Sequence, residues 1–103
     1  MGWAKRARKQ LREDGQAVIK PRGNSMDPII RAGATVTLKP ANPTSLKKGD
    51  VVFVKVKGRD YLHLIKALRR NQALIGNNKG GINGWASLNS VYGLAVEINN
   101  PES

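Results

Sequence analysis

The sequence predicts a mostly β domain, in which antiparallel strands form coiled or partly barrel-like sheets with at most one or two short helices. Short runs rich in apolar, β-branched and aromatic residues recur along the chain, and segments rich in Gly, Pro, Asn or charge separate them. With 103 residues, of which 40% are hydrophobic, the chain can bury one modest core. We therefore expect one domain over residues 16–99, preceded by a basic segment at 1–15 and followed by a tail at 100–103.

The basic N-terminal segment is where apolar residues recur at helical spacing. Trp3, Ala4, Ala7 and Leu11 follow this spacing, and Gly15 ends it. The cations among them are Lys5, Arg6, Arg8, Lys9 and Arg12. We expect a short basic helix or a frayed arm, whose cations are a candidate surface for nucleic acid or another anionic partner.

Strand-like runs make up most of residues 16–99. They are predicted at 16–20, 34–39, 51–56, 61–68, 73–75 and 90–98. The first run stops before Pro21, which lacks the N–H that pairing requires. Lys57-Gly58-Arg59-Asp60 fits a hairpin turn between the third and fourth runs. Residues 77–84 are rich in Asn and Gly without periodicity, which predicts a loop.

Composition narrows the partners and the compartment. The formal net charge of +11 favours nucleic acid, an anionic membrane surface or an acidic protein partner. Cysteine is absent and histidine occurs once, so we expect no disulfide, no metal site and no cofactor. The apolar stretches are far shorter than the roughly 20 residues that cross a bilayer. We therefore expect a soluble protein without a membrane span, located in the reducing cytoplasm.

Three motifs occur in order along the chain. They are Gly23-Asn24-Ser25-Met26-Asp27-Pro28, Gly49-Asp50-Val51-Val52 and Tyr61-Leu62-His63-Leu64-Ile65. Over Gln16 to Ile98 this series resembles the peptidase families that contain LexA-like repressors and signal peptidases. The resemblance implies that Ser25 is the nucleophile and that its backbone amide helps to hold the oxyanion. It also implies that Asn24 and Met26 belong to the oxyanion and substrate subsites, with Met26 near a small P1 side chain.

The same resemblance implies that His63 is the base. Bacterial members of these families carry a lysine at this position, whereas archaeal and endoplasmic-reticulum signal peptidases, which this segment resembles more closely, use histidine. Those relatives also have a downstream Gly-Asp-Asn segment whose aspartate assists the histidine. Here the segment is Gly76-Asn77-Asn78, so Asn77 is the expected supporting residue. An asparagine orients an imidazole but does not stabilise the imidazolium as a carboxylate does.

A serine and a histidine suit peptide hydrolysis. A serine hydroxyl is a poor nucleophile until a base takes its proton, and histidine titrates near neutral pH without the desolvation that a lysine base needs. Along an extended strand, Tyr61, His63 and Ile65 share one face, while Lys66 points to the other. Lys66 is therefore an alternative base only if a β-bulge shifts the register between it and His63.

We expect a soluble, stand-alone serine peptidase that uses a Ser25/His63 dyad. LexA-like proteins cut themselves at a small-residue-Gly bond upstream of the serine, but the short segment before Ser25 contains no such Ala-Gly or Cys-Gly pair. The Ala32-Gly33 pair lies inside the expected fold. A protein or peptide cleaved in trans is therefore the expected substrate. We expect no helix-turn-helix domain and no membrane anchor, and a homodimer is a candidate assembly because relatives pair through their C-terminal strand.

The alternative is a catalytically inactive basic module of the same fold. It would bind nucleic acid or a repressor-like partner through Lys5, Arg6, Arg8, Lys9 and Arg12. The charge of +11 and the missing aspartate favour this alternative. The small number of aromatic residues disfavours it, because few rings are present to stack on bases.

Overall fold

The structure, a computed structural model, describes residues 2–101. It is mostly β, as predicted, and begins with the short helix α1 at Trp3–Asp14. The seven strands are β1 (Ala17–Ile19), β2 (Thr35–Pro40), β3 (Val51–Val56), β4 (Arg59–Arg69), β5 (Gln72–Gly76), β6 (Ile82–Ser87) and β7 (Val91–Asn99). Short 3₁₀ turns at Pro43–Ser45 and Leu88–Ser90 precede β3 and β7. Residues 1, 102 and 103, which belong to the predicted arm and tail, lie outside the described range.

The strands form one sheet in the order β1-β2-β7-β3-β4-β5-β6, and every neighbouring pair is antiparallel. The last strand, β7, lies in the interior between β2 and β3. Strand β3 also contacts β6, although β4 and β5 separate them in the sheet. This half of the sheet therefore curls on itself, which accounts for the predicted partly barrel-like character.

Strand β3 is buried on both faces because two apolar clusters lie on opposite sides of it. Val51 and Phe53 belong to the cluster beneath α1. Val52 and Val54 belong to the cluster enclosed by the curled half of the sheet. A strand with both faces covered has a continuous apolar sequence, which explains the uninterrupted buried run from Val51 to Val54.

Helix α1 packs on the sheet, so the predicted arm is an integral element of the fold. Its Ala7 and Leu11 are buried, and the ring of Trp3 lies 5.1 Å from that of Phe53. The helix ends at Gly15, whose left-handed backbone (φ 73°) lets its N–H bond the carbonyl of Leu11. No helix within residues 2–101 is long and apolar enough to cross a membrane.

Strand β6 lies partly where the sequence predicts a loop. The irregular segment ends at residue 81, and Ile82–Ser87 pairs with β5. Asn83 and Gly84 have weak strand preference, which is why the sequence favours a loop there. Pairing with β5 in the folded sheet overrides that local preference.

Candidate active site

Ser25 lies in a compact turn between β1 and β2. The N–H of Asp27 bonds the carbonyl of Asn24 at 3.1 Å, and the N–H of Ile30 bonds that of Met26 at 2.9 Å. Met26 and Ile30 are buried in the cluster beneath α1. These two side chains anchor the turn to the sheet, so the half-buried Ser25 is held at a defined place.

His63 projects from the middle of β4 toward this turn. Its Nε2 lies 3.3 Å from the Oγ of Ser25, a contact between residues 38 positions apart. Its register is set by β3, where His63 pairs with Val52. The Tyr61 ring stacks on the imidazole with centroids 5.1 Å apart and planes 25° apart. The fold thus brings together the nucleophile and base predicted from the sequence.

Asn83 is the second partner of the imidazole. Its Oδ1 lies 2.7 Å from Nδ1 of His63. Because an amide oxygen only accepts hydrogen bonds, this contact places the ring proton on Nδ1. The lone pair of Nε2 is then directed at the hydroxyl of Ser25, which is the tautomer that a general base needs.

A β-bulge places Asn83. Ile75 pairs with Gly84 and Gly76 pairs with Ile82, so Asn83 is the extra residue of β6. A bulge re-aims a side chain out of the regular alternation. Gly76 permits the close approach, since a Cβ there would lie 2.5 Å from the carbonyl oxygen of Gly81.

Asn77, the supporting residue expected from the sequence, has a different contact. Its Oδ1 accepts hydrogen bonds from the N–H groups of Lys79 and Gly81, both at 2.8 Å. It therefore shapes the 77–81 loop, and the amide that bonds His63 is that of Asn83. The expectation followed the order of residues after β5, whereas the chain reaches the imidazole only after the loop has turned back into β6.

Asn78 connects that loop to the compact turn that holds Ser25, called the nucleophile turn below. It was not among the predicted site residues. Its N–H bonds the carbonyl of Ser25 at 2.9 Å. Its side-chain Nδ2 bonds the carbonyl of Asp27 at 3.0 Å. Asn78 therefore fixes the backbone at Ser25 and at Asp27, two residues further on. Local sequence does not signal this role, because Asn78 and Asp27 are 51 positions apart.

Asn24 and Met26, the predicted oxyanion and substrate residues, flank the nucleophile. Asn24 is exposed and closes the turn through its carbonyl, while Met26 is buried and lines the cleft. Within residues 2–101, no backbone carbonyl accepts a hydrogen bond from the N–H of Ser25 or Met26. The oxyanion role expected of the Ser25 amide therefore does not compete with a backbone hydrogen bond in the described part of the chain.

Lys66, the alternative base, is not the partner of Ser25. The sheet does contain a bulge at this residue, because Ile65 pairs with Ile75 and Ala67 with Leu74. The side chain of Lys66 nevertheless packs over β5, where its Cε would lie 3.1 Å from a Cβ at residue 76. The nitrogen that faces Ser25 belongs to His63.

A cleft of about 920 Å³ opens beside Ser25 and His63. One wall is α1, through Trp3, Arg6 and Gln10, and another is β1 with the segment that follows it. The five α1 cations predicted as a binding surface lie in three different environments. Arg6 lines the cleft, Arg8 pairs with Asp60, and Lys5, Lys9 and Arg12 lie on the exposed side of α1.

The series Ser25, His63 and Asn83 has the order of a nucleophile, a base and an orienting group. The 3.3 Å between Oγ and Nε2 is slightly longer than a strong hydrogen bond, as is common before a substrate is bound. Neither a scan against protein-family models nor a search of curated proteins finds a match to this chain.

Proposed function

We propose that the protein is a cytoplasmic serine endopeptidase of the LexA/signal-peptidase type. It cleaves a peptide bond in another protein or peptide, with Ser25 as nucleophile, His63 as general base and Asn83 as the residue that orients the base. The observation that carries the proposal is the 3.3 Å approach of Ser25 Oγ to His63 Nε2, combined with the 2.7 Å contact of Nδ1 with Asn83.

The first half of the reaction forms an ester on Ser25. Oγ bonds the carbonyl carbon of the scissile amide while its proton passes to Nε2 of His63. The backbone N–H of Ser25 stabilises the oxyanion that results. When the C–N bond breaks, Nε2 returns the proton to the leaving amine. Water then loses a proton to the same nitrogen as its oxygen bonds the ester carbonyl carbon. The bond from that carbon to Oγ breaks, the carboxylic acid product leaves, and Nε2 returns the proton to Oγ of Ser25.

Asn83 distinguishes this site from one with a carboxylate. Its amide oxygen holds the imidazole in the required tautomer throughout. It carries no charge, so the imidazolium formed during attack gains less stabilisation than beside an aspartate. We therefore expect slow turnover unless substrate binding contributes strongly to the transition state.

The second candidate function is the inactive basic module. The net charge of +11 and the exposed cations Lys5, Lys9 and Arg12 favour it. In that case binding to nucleic acid should fall steeply with salt and should not depend on Ser25. The peptidase proposal is preferred because the Ser25 hydroxyl and the His63 imidazole line the cleft within hydrogen-bond distance of each other, and the Asn83 amide supports the imidazole.

Covalent labelling tests the peptidase proposal. The protein is incubated with a phosphonylating probe directed at serine, and intact mass is measured beside Ser25→Ala and His63→Ala. We expect a single adduct on the wild-type protein, none on Ser25→Ala and much slower labelling of His63→Ala. Ser45→Ala, which alters an exposed serine far from the cleft, should label normally.

Circular dichroism and urea unfolding show whether each variant is folded. A folded wild-type protein that takes no label, or equal labelling of wild-type and Ser25→Ala, would remove the peptidase proposal. If the folded wild-type protein takes no label but binds an oligonucleotide in a salt-dependent manner, the basic module is favoured.

A further inference from the structure

The rim of the cleft carries three exposed cations. Arg6 comes from α1, while Lys20 and Arg22 belong to the segment that joins β1 to the nucleophile turn. All three line the same cleft as Ser25 and His63. Positive charge is therefore concentrated where a bound peptide would lie.

This positive charge is not balanced by the protein. Asp60 is the one acidic side chain that lines the cleft, and it is paired with Arg8. That pair is the only ion pair within residues 2–101. Arg6, Lys20 and Arg22 thus have no carboxylate partner in the described part of the chain, and a concave site lined by one sign of charge attracts the opposite sign.

The position of Arg6 follows from how α1 docks. Trp3, Arg6 and Gln10 are spaced three and four residues apart, so they share one face of the helix. Gln10 accepts a hydrogen bond from the N–H of Val18 at 3.2 Å, which ties that face to β1. Strand β1 is at the edge of the sheet, and this contact gives the outward-facing N–H of Val18 a hydrogen-bond acceptor. Arg6 is therefore held over the cleft by the contacts on either side of it.

Chain geometry limits where a substrate charge must lie. Arg22 is three residues before Ser25, so their Cα atoms are at most about 11 Å apart. An extended peptide advances about 3.3 Å per residue. A carboxylate within about three residues of the scissile bond is therefore within reach of Arg22. Arginine also binds carboxylates through two parallel hydrogen bonds, which adds geometric selectivity.

We propose that the cleft selects acidic peptides, with Arg6, Lys20 and Arg22 as specificity-determining residues that bind Asp or Glu side chains near the scissile bond. This inference rests on the proposed peptidase function and names its substrate class. A peptide fits better than nucleic acid because the cations surround a concave cleft whose floor includes the buried apolar Met26 and Ile30.

Binding is measured separately from cleavage. The Ser25→Ala variant keeps the cleft but has no nucleophile, so it retains peptides intact. Fluorescence anisotropy compares labelled peptides that contain Asp or Glu at each position around a small-residue site with matched Asn or Gln peptides. We expect the acidic peptides to bind about tenfold more tightly, equivalent to about 1.4 kcal/mol, because Arg binds a carboxylate through charge-assisted hydrogen bonds.

Charge-reversal variants show which cations of the cleft bind the acidic side chains of the peptide. In the Ser25→Ala background, Arg6→Glu and Arg22→Glu should each remove the preference for acidic peptides, and the double variant should prefer Lys-containing peptides. Lys5→Glu on the outer side of α1 and Lys55→Glu on β3 make the same charge change at exposed positions that do not line the cleft. Both controls should keep the acidic preference.

The outcomes separate the two proposals. Hydrolysis of acidic and neutral peptides at equal kcat/KM by the wild-type protein would overturn the acidic selectivity and leave the peptidase function standing. Tight, Arg22-dependent binding of acidic peptides without hydrolysis would overturn the peptidase function and leave the acidic selectivity standing. If a short oligonucleotide displaces the acidic peptide at lower concentration than an unlabelled copy of that peptide, and loses this ability in Arg22→Glu, the cleft is a nucleic-acid site and the proposal fails.

Discussion

The Nδ1 atom of His63 lies 2.7 Å from Oδ1 of Asn83, and this contact spans two strands that are not neighbours in the sheet. Strand β5 lies between them, and the bulge at Asn83 lets its side chain reach across. The orientation of the base is therefore a property of the curled half of the sheet. Several features of the site can be tested through this arrangement.

Asn83→Leu keeps the approximate size of the side chain and removes the acceptor. Without it the imidazole loses its fixed tautomer, and we expect Ser25 labelling to slow by about tenfold or more, equivalent to about 1.4 kcal/mol. Asn83→Asp should retain labelling. Its carboxylate still accepts the hydrogen bond from Nδ1, and it also stabilises the imidazolium formed during attack.

The ring ¹⁵N chemical shifts of the single histidine provide the second measurement for Asn83. They report which ring nitrogen carries the proton, and this distribution should differ between Asn83→Leu and the wild-type protein. Unchanged shifts together with unchanged labelling in Asn83→Leu would show that the amide does not act on the base.

Asn78→Asp tests the connection between the 77–81 loop and the nucleophile turn. The variant keeps the size of the side chain but cannot donate to the carbonyl of Asp27. We expect a loss of about 1 kcal/mol in the free energy of unfolding and slower labelling of Ser25. Asn89→Asp, at an exposed position in the 3₁₀ turn before β7, is the matched control and should change neither quantity appreciably. Labelling at the wild-type rate would mean that the turn holds Ser25 without this bond.

Gly76→Ala tests the close approach behind the bulge. The added Cβ would meet the carbonyl oxygen of Gly81, which is backbone and cannot rotate away. We expect about 1–3 kcal/mol of destabilisation, with displacement of β6 and loss of the Asn83 contact. Gly58→Ala, in the hairpin turn at φ 83°, is strained without a steric clash. It should lower stability but preserve labelling, so loss of labelling in both variants would point to general unfolding.

Tyr92 on β7 contacts α1, where the guanidinium carbon of Arg8 lies 5.3 Å from the centroid of its ring. Stability at alkaline pH therefore reports on the docking of this helix. Burial raises the pKa of the Tyr92 phenol above its usual 10.0, and the neighbouring Asp60 carboxylate raises it further. The folded state therefore holds this proton more tightly than the unfolded state. The resulting stability is complete below the usual pKa and is lost as pH rises through the higher folded value.

Urea unfolding at pH values from about 8 to 11 measures this effect. The free energy of unfolding of the wild-type protein should fall more steeply above pH 10 than that of Tyr92→Phe, because phenylalanine has no proton to lose. Equal slopes for the two proteins would contradict the assignment. The difference between variants removes the contribution of the lysines, which titrate in the same range.

Local sequence predicted the basic helix and six of the seven strands, all but β6. Three local motifs, through their resemblance to known peptidase families, predicted the pair Ser25 and His63, and alternation along residues 61–68 put His63 on the opposite face from Lys66. The hairpin turn predicted over residues 57–60 is narrower in the structure: β4 already begins at Arg59, and the two residues before it have positive φ. Each of these properties depends on residues within a few positions of one another, so each can be seen in one stretch of sequence.

Tertiary structure decided which groups meet around that pair. Three such contacts join segments that are distant along the chain. Asn83 supports His63, Asn78 bonds the nucleophile turn, and α1 places Arg6 over the cleft. They depend on the curl of the sheet, on one bulge and on the packing of α1. The resemblance of Gly76-Asn77-Asn78 to a Gly-Asp-Asn segment predicted Asn77 as the support of His63, whereas the 77–81 loop turns back into β6 and the bulge there presents Asn83. A bulge shifts register by a single residue and carries almost no local signal, so the sequence alone could not identify Asn83.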